Sequence, residues 1–322
     1  MRPSAQTGQR RAPTRLLRRG SLLHPVLLLT LVTVIAMAAA CTSSKERFGP
    51  PSSSEVVSVA PTVALTNNRL AEIQAAHEVT IGVKKDVPLF GLSNPRTGEL
   101  TGFDIEIARG IAKRLFPNDD ASGAKIRFVE ALSKDRESLL QSGSVDLILS
   151  TYTINDARKQ LVDFAGPYYI AGQDVLTRRE RIASGEITGI EGVNGKKVCS
   201  VRGSTSLLNL QRAAPKADVS VLRDKYSQCF DELKAGHVDA MTTDDVILLG
   251  LAQNDPEFAL TGNPFRTEPY GVGIPKGDEE LRSFVNDALQ QMIDSGEWAE
   301  AFRRTIGTSG ALVPPPPAID RY

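Results

Sequence analysis

The chain has 322 residues, a length typical of about two domains. Hydrophobic residues make up 41%, and basic and acidic side chains number 38 each, which excludes a disordered acidic tail protein, a collagen and a small disulfide-rich scaffold. The first 40 residues carry six arginines and no acid, so the rest has 32 basic against 38 acidic residues, formally −6. Such a surface does not favour binding to nucleic acid.

The chain begins with the pattern of a bacterial export signal. Arginines precede residues 26–40, an apolar stretch too short to span a bilayer comfortably. Its last three residues are alanines and lead into Cys41, which resembles a lipobox, where the cysteine becomes the lipidated N-terminus. We expect residues 1–40 to be a lipoprotein signal peptide. The alternative is an uncleaved signal anchor with an incidental Cys41.

Polar segments flank the expected folded body. Residues 41–64 are rich in Ser, Pro, Val and Glu, a composition that favours a flexible tether. Residues 307–322 contain four consecutive prolines and favour an extended tail. The body therefore covers about 65–306.

Strand and helix patterns alternate through the body. Residues 79–83 form a β-branched run, and Ile107, Ile111 and Leu115 recur at four-residue spacing within 103–115, which indicates an amphipathic helix. Further strand patterns lie at 126–129, 145–149, 197–201, 219–222 and 238–241. Further helix patterns lie at 136–141, 207–212, 229–235, 246–252 and around Trp298. This order predicts the α/β class with largely parallel sheets.

Two segments interrupt the alternation, 166–178 and 262–275, each with Gly, Pro and aromatic residues. Two crossings predict two lobes, the first covering about 78–170 and 270–306 and the second about 171–269. The alternative is a pair of ordinary surface loops. Ligands of open α/β sheets bind beyond the carboxyl ends of the strands, so we expect a site between the lobes.

Two cysteines remain if Cys41 is lipidated. In an exported protein an even remainder favours a disulfide, here between Cys199 in a strand pattern and Cys229 in a helix pattern. Two buried free thiols are the alternative. Since the three histidines are distant in sequence, a cysteine hydrolase is disfavoured.

The first candidate ligand contacts follow the strand at 145–149. Ser150, Thr151 and Thr153 offer hydroxyls and backbone amides at its carboxyl end. Arg158 comes next, and its planar guanidinium can hold a carboxylate through two parallel hydrogen bonds. The alternative for Arg158 is an ordinary solvated arginine.

Two further strand ends carry polar residues. After the strand at 197–201, Gly203 permits close approach, and Thr205 and Ser206 open a helix whose free amides attract an anion. Simple helix capping explains these hydroxyls equally well. After the strand at 238–241, one of Asp244 and Asp245 is placed to meet an ammonium group and the other to cap the next helix.

Taken together, these segments resemble one family. The motifs GFDIEIARGIAKRL, DLILSTYTINDARKQLVDFAGPYY, VCSVRGST, VDAMTTDD and PYGVGIPKG occur in this order across about 78–306. The chain resembles the extracellular polar amino acid binding proteins that feed ABC importers, and most of all the actinobacterial lipoproteins for glutamate, aspartate and glutamine. The resemblance implies a two-lobed clamp of type II with two hinge strands that closes on one amino acid.

The resemblance also implies residue roles. Arg158 is expected to hold the ligand α-carboxylate, helped by Thr153 and the amides around Thr205 and Ser206. Asp244 is expected to take the α-ammonium, with Thr151 sharing that contact.

The side-chain pocket follows from the same resemblance. Relatives that bind acidic amino acids place cations after the first strand, here Lys84 and Lys85, and in an S-x-x-N-R segment, here 133–136. Ser133 and Arg136 match that segment, whereas Asp135 replaces its Asn. Arg202 matches a cationic contact of glutamine binders, and Tyr152 lies between two candidate polar contacts. Several cations favour glutamate or aspartate over glutamine or asparagine, unless these cations are ordinary solvated surface.

The expected partners are an amino acid, an ABC permease and the extracytoplasmic face of the membrane, reached through the lipid, with the protein a monomer. No metal or other cofactor is expected, because the histidines are scattered and no calcium-loop or nucleotide motif occurs. Two rivals remain. One is an enzyme like the prephenate and arogenate dehydratases, with Glu130 or Glu268 as its acid, and the other is a sensor that docks on a signalling membrane protein.

Overall fold

The computed structural model describes residues 68–118 and 125–322. The expected signal peptide, Cys41 and the tether lie outside these residues. Within the described ranges, no helix is long and apolar enough to cross a membrane.

Helices and strands alternate in these ranges as expected for the α/β class. The helices are α1 (Arg69–Ala76), α2 (Phe103–Leu115), α3 (Arg136–Gln141), α4 (Asp156–Lys159), α5 (Arg179–Ala183), α6 (Thr205–Ala213), α7 (Tyr226–Lys234), α8 (Asp245–Ala252), α9 (Glu279–Asp294) and α10 (Glu297–Arg304). The strands are β1 (Glu78–Val83), β2 (Asp86–Val87), β3 (Gly91–Ser93), β4 (Leu100–Thr101), β5 (Lys125–Glu130), β6 (Leu147–Leu149), β7 (Asp163–Arg178), β8 (Val198–Val201), β9 (Leu222–Arg223), β10 (Ala240–Asp244), β11 (Phe258–Leu260) and β12 (Arg266–Ile274).

One large sheet organises the described chain, in the order β5-β1-β6-β12-β7-β10-β8-β9, with β11 added to β7. In one half β1 runs parallel to β5 and β6, and in the other half β8 runs parallel to β9 and β10. Strands β7 and β12 are antiparallel to each other and separate these halves.

Two strands belong to both halves. The start of β7 pairs with the end of β12, and its later residues 173–177 pair with β10. Strand β12 in turn pairs with β6 through Gly273. Segments 166–178 and 262–275 therefore contain crossing strands and are not surface loops. This confirms a two-lobed fold with two hinge crossings. We call β1, β5 and β6 with α1–α4, α9 and α10 the first lobe, and β8–β11 with α5–α8 the second lobe.

Local patterns explain most elements. Helix α2 buries Ile107, Ile111 and Leu115 on one face, as their spacing predicts. The late helix pattern divides into α9 and α10, because Gly296 between them adopts φ 82°, a left-handed value that interrupts an α-helix. Trp298 is buried, and its Nε1 donates to the backbone oxygen of Tyr168 at 2.8 Å, so it packs in the core.

The disulfide prediction is confirmed. Cys199 of β8 and Cys229 of α7 are bonded, with their Cα atoms 5.5 Å apart. Both cysteines are fully buried. The bond therefore links a central strand of the second lobe to the helix that covers it.

Candidate ligand-binding site

The two lobes touch along the rim of the cleft between them. The Nζ atom of Lys134 in the first lobe lies 2.8 Å from an Asp224 oxygen in the second, and Lys225 Nζ lies 2.5 Å from Glu130. The side chain of Arg202 also pairs with Asp224 at 3.2 Å and is 50% exposed. The structure thus places Arg202 on the rim, apart from the buried cations described below.

Gly203 brings the lobes into close contact. Its φ is 74°, and a Cβ atom added there would lie 2.5 Å from the Cα of Lys134. The close approach expected at Gly203 therefore occurs against the backbone of the opposite lobe.

Polar groups gather at the carboxyl end of β6. Thr151 adopts φ 44°, which is uncommon for a residue with a Cβ. Its amide donates to Oδ2 of Asp104 at 2.9 Å, and Tyr168 donates its hydroxyl to Oδ1 at 2.6 Å. Burial raises the pKa of Asp104 to about 6. Asp104 therefore stabilises the turn at Thr151 by accepting a hydrogen bond from its amide. The sequence did not predict this role, because Asp104 lies within the helix pattern of α2.

Lys84 is buried at the end of β1. Its Nζ donates to the hydroxyl of Ser133 at 2.9 Å and to the backbone oxygen of Ala131 at 3.1 Å. Burial, with the nearby Arg136 guanidinium, lowers the pKa of Lys84 to about 7. The neighbouring acids do not balance its charge.

Arg136, at the start of α3, is also buried. It donates to the backbone oxygens of Ser133, Ser150 and Thr151 at 3.0–3.3 Å. These acceptors are neutral, so the guanidinium is held in place without a carboxylate on these bonds. Lys84, Ser133 and Arg136 thus form one connected group, as the resemblance implies.

Arg158 lies where α4 meets the second lobe. Its Nη1 donates to the backbone oxygen of Thr153 at 2.7 Å, its Nη2 to that of Gly203 at 3.2 Å, and its Nε to Glu137 at 3.0 Å. Burial and the charge of Arg136 lower the pKa of Arg158 to about 10.

Tyr152 connects the two arginines. Its ring centroid lies 4.3 Å from Cζ of Arg136 and 4.8 Å from Cζ of Arg158, distances typical of cation–π contacts. The side chain is fully buried, and its ring packs 4.8 Å from that of Phe164. The structure places Tyr152 in an apolar cluster beneath the arginines, and its contact with a ligand stays a prediction.

The second lobe contributes the start of α6. Ser204 caps this helix by accepting from the amide of Leu207 at 3.1 Å, which leaves the hydroxyls of Thr205 and Ser206 for other contacts. Thr205 reaches the hydroxyl of Thr153 in the first lobe at 3.4 Å. Ser206 donates to Asp244 at 3.3 Å.

Asp244 ends β10 and is fully enclosed. Tyr270, on the hinge strand β12, donates its hydroxyl to Oδ2 of Asp244 at 2.5 Å. Burial, with the charge of Glu268, raises the pKa of Asp244 to about 8. The neighbouring Asp245 is the first residue of α8 and accepts from the amide of Val246 at 2.7 Å. The N-cap position belongs to Asp244, whose side chain makes no capping hydrogen bond, so the structure does not show the capping role expected for one of the two aspartates.

Sequence reasoning missed two further groups at this site, Tyr270 and Tyr226. Tyr270 binds Asp244 as described, and Tyr226 of α7 is buried with a pKa raised by burial and by Asp244. Glu268 of β12 is buried and accepts from Thr205 and from Asn209, each at 2.8 Å. Glu268 was expected only as a hypothetical acid, and it lies behind Thr205.

Two cavities lie beside Thr205, which contacts Thr153 of the first lobe. One, of about 360 Å³, is lined by Ser133, Arg158, Gly203 and Thr205 among others. The other, of about 470 Å³, is lined by Thr153, Thr205 and Glu268 among others.

The charges of this site share one property. The pKa values of Lys84 and Arg158 are lowered and that of Asp244 is raised, so each shift favours the neutral form. Burial disfavours the charged form of each group more than the surrounding opposite charges favour it, and this holds for Arg158 even beside Glu137. An amphoteric solute can supply the missing charges, with carboxylate near the first lobe and ammonium near Asp244. The two-lobed α/β fold and this cleft define a periplasmic-binding-protein-like receptor of type II.

Comparison with known proteins gives the family. The model of the bacterial extracellular solute-binding proteins, family 3, matches residues 79–308. The ABC transporter glutamine-binding protein GlnH of Bacillus subtilis is 40% identical over 74% of this chain and 84% of its own length. The glutamate-binding protein GluB of Corynebacterium efficiens is 35% identical over 73% and 81%. A solved receptor for L-cysteine from Neisseria gonorrhoeae has a TM-score of 0.69 at 29% identity, over 74% and 94%.

The chain therefore belongs to the bacterial extracellular solute-binding proteins of family 3. This confirms the family named from the sequence motifs. The lobe boundaries and the roles of the individual site residues stay predictions.

Proposed function

We propose that the protein is a lipid-anchored extracytoplasmic receptor that binds glutamate or aspartate and delivers it to an ABC importer. The observation that carries this proposal is the set of buried charged side chains in the cleft. Lys84 and Arg136 donate to neutral oxygens and Asp244 accepts from hydroxyls. Arg158 adds a buried guanidinium whose Nε is paired with Glu137. The names of the relatives, which bind glutamine or glutamate, support the ligand class.

In this proposal each ligand group meets one protein group. Arg158 takes the α-carboxylate with Thr153 and the start of α6, and Asp244 takes the α-ammonium. Lys84 and Arg136 remain for a side-chain carboxylate. A neutral amide would leave their charges uncompensated, and an uncompensated buried charge costs several kcal/mol. This favours an acidic ligand over glutamine or asparagine, although two relatives are glutamine-binding proteins.

Closure provides the signal to the partner. A ligand that contacts both lobes has more contacts in the closed form and shifts the population toward it. Closure also removes water and so strengthens each charged contact.

Calorimetric titration of the protein with glutamate, aspartate, glutamine, asparagine and lysine tests the ligand. We expect glutamate or aspartate to bind with the lowest dissociation constant. Heat from neutral or cationic amino acids alone would refute the acidic specificity.

We further propose that the cleft binds without catalysis. A dehydratase requires an acid directed at its substrate, whereas both oxygens of Glu268 accept hydrogen bonds from Thr205 and Asn209. The bound amino acid should be recovered unchanged after long incubation. A new product in chromatography would favour the enzyme.

The anchor and the partner need separate experiments. Replacement Cys41→Ala should release the protein from the membrane fraction if Cys41 carries the lipid. Co-purification with a permease would support transport, and co-purification with a signalling membrane protein would support the sensor alternative.

A further inference from the structure

The tail after residue 308 lies beyond the family match, which ends there. Residues 310–322 have no regular secondary structure, as expected for an extended tail. They nevertheless pack on the described fold, since Ala311, Val313 and Ile319 contact the main apolar core. The tail is therefore a docked segment.

The end of the tail covers an edge of β7. The amide of Asp320 donates to the backbone oxygen of Gly166 at 2.8 Å. The amide of Phe164 donates to the hydroxyl of Tyr322 at 2.9 Å. Strand β12 pairs with β7 at Phe164, and Gly166 lies at the register shift between the two strands, so the tail supplies additional partners for the first hinge strand.

The ring of Tyr322 lies between two cations. Lys159 Nζ, at the end of α4, is 3.7 Å from the ring centroid, and Cζ of Arg282 in α9 is 4.7 Å from it. Lys159 Nζ also lies 4.0 Å from Asp320. Tyr322 thereby holds α4 against α9.

Helix α4 depends on such contacts. It has four residues, and a single helical turn has little stability of its own. Its third residue is Arg158, directly before Lys159. The backbone oxygen of Lys159 also accepts from Lys276 at 2.7 Å, so two outside groups, Lys276 and Tyr322, fix the end of this turn.

We propose that Tyr322 is a positioning residue for ligand binding, which acts through Lys159 to hold α4 so that Arg158 meets the α-carboxylate. This inference rests on the role proposed above for Arg158. A tail that only stabilises the first lobe would affect all ligands equally. A tail that positions Arg158 affects most the ligands that carry an α-carboxylate.

The experiment compares L-glutamate with its α-amide, or L-glutamine with its α-amide if calorimetry selects glutamine. In Tyr322→Ala we expect about fivefold weaker binding of the amino acid, because a factor of five corresponds to the free energy of one cation–π contact. The ratio of the affinity for the amino acid to the affinity for its α-amide should also become smaller. Tyr322→Phe keeps the ring, so it should retain most of the affinity for the amino acid and most of the ratio between the two affinities. The control Arg321→Ala removes an adjacent ion pair with Asp287 and should leave the ratio unchanged.

Three results would overturn the proposal: an unchanged affinity in Tyr322→Ala, equal weakening of both ligands, or an effect as large in Arg321→Ala. Failure of the underlying assignment gives a different result. If Arg158→Ala discriminates amino acid from α-amide as well as the unaltered protein does, Arg158 does not bind the α-carboxylate.

Discussion

The affinity for glutamate should depend on pH through Lys84. Its pKa falls from 10.5 to about 7 in the structure. At about 1.4 kcal/mol per pH unit this corresponds to about 5 kcal/mol against the charged form. A ligand carboxylate restores the charge and raises the pKa again. Above pH 7 the complex therefore holds one proton more than the free protein, and affinity falls as pH rises.

Asp244 acts in the opposite direction. Its pKa is raised from 3.8 to about 8, and the ligand ammonium lowers it again. Below pH 8 the complex holds one proton fewer than the free protein, so affinity rises with pH. The two effects cancel between pH 7 and 8. We expect glutamate affinity to rise about tenfold from pH 6 to 7, to stay level to pH 8, and to fall about tenfold from pH 8 to 9.

Calorimetry at each pH, with the variant Lys84→Met, tests this. The variant should bind more weakly at pH 7 and should lose the fall between pH 8 and 9. Lys85→Met is the matched control, because the adjacent Lys85 is half-buried, and it should follow the unaltered protein. An equal fall in Lys84→Met, or no fall in the unaltered protein, would refute the assignment of Lys84.

Three other predictions concern closure, stability and the main anchor. Gly203→Ala places a Cβ 2.5 Å from the Cα of Lys134 and should weaken binding at least about tenfold by opposing closure, measured by calorimetry and small-angle scattering. Replacing Cys199 and Cys229 by serine should lower the free energy of unfolding by about 3–4 kcal/mol with the cleft intact, measured by denaturant titration. Arg158→Ala should abolish binding while circular dichroism shows a folded protein. Arg158→Lys should recover little of the binding affinity, since lysine lacks the planar guanidinium that holds a carboxylate through two hydrogen bonds.

Each of these has a contrary outcome. Gly195 has a similar φ of 75° and no atom within 4 Å of an added Cβ, so Gly195→Ala should bind normally; equal loss in both glycine variants would point to backbone strain in place of closure. Loss of binding in the serine variant at temperatures where it stays folded would give the disulfide a role in the site. If Arg158→Ala retains its affinity, Arg158 is not the residue that holds the ligand α-carboxylate.

Much of the fold followed from local pattern. Helix α2 begins and ends where the sequence predicts, at 103–115, because its apolar spacing is a property of neighbouring residues. Helix α3 likewise covers the predicted 136–141. The strand expected at 219–222 is shorter and shifted, with β9 at Leu222–Arg223, since pairing with β8 sets its extent. The disulfide followed from the cysteine count together with the expected export and the expected lipidation of Cys41.

The sequence by itself thus determined the alternating α/β order, the family and the candidate strand-end residues. Tertiary structure alone decided which charges are buried together. Lys84 and Lys85 are adjacent and chemically identical, yet only Lys84 is buried beside Arg136. Likewise Tyr270 meets Asp244, and Tyr322 meets Lys159, across long stretches of chain. Desolvation and charge proximity arise from packing of distant segments, and no local pattern encodes them.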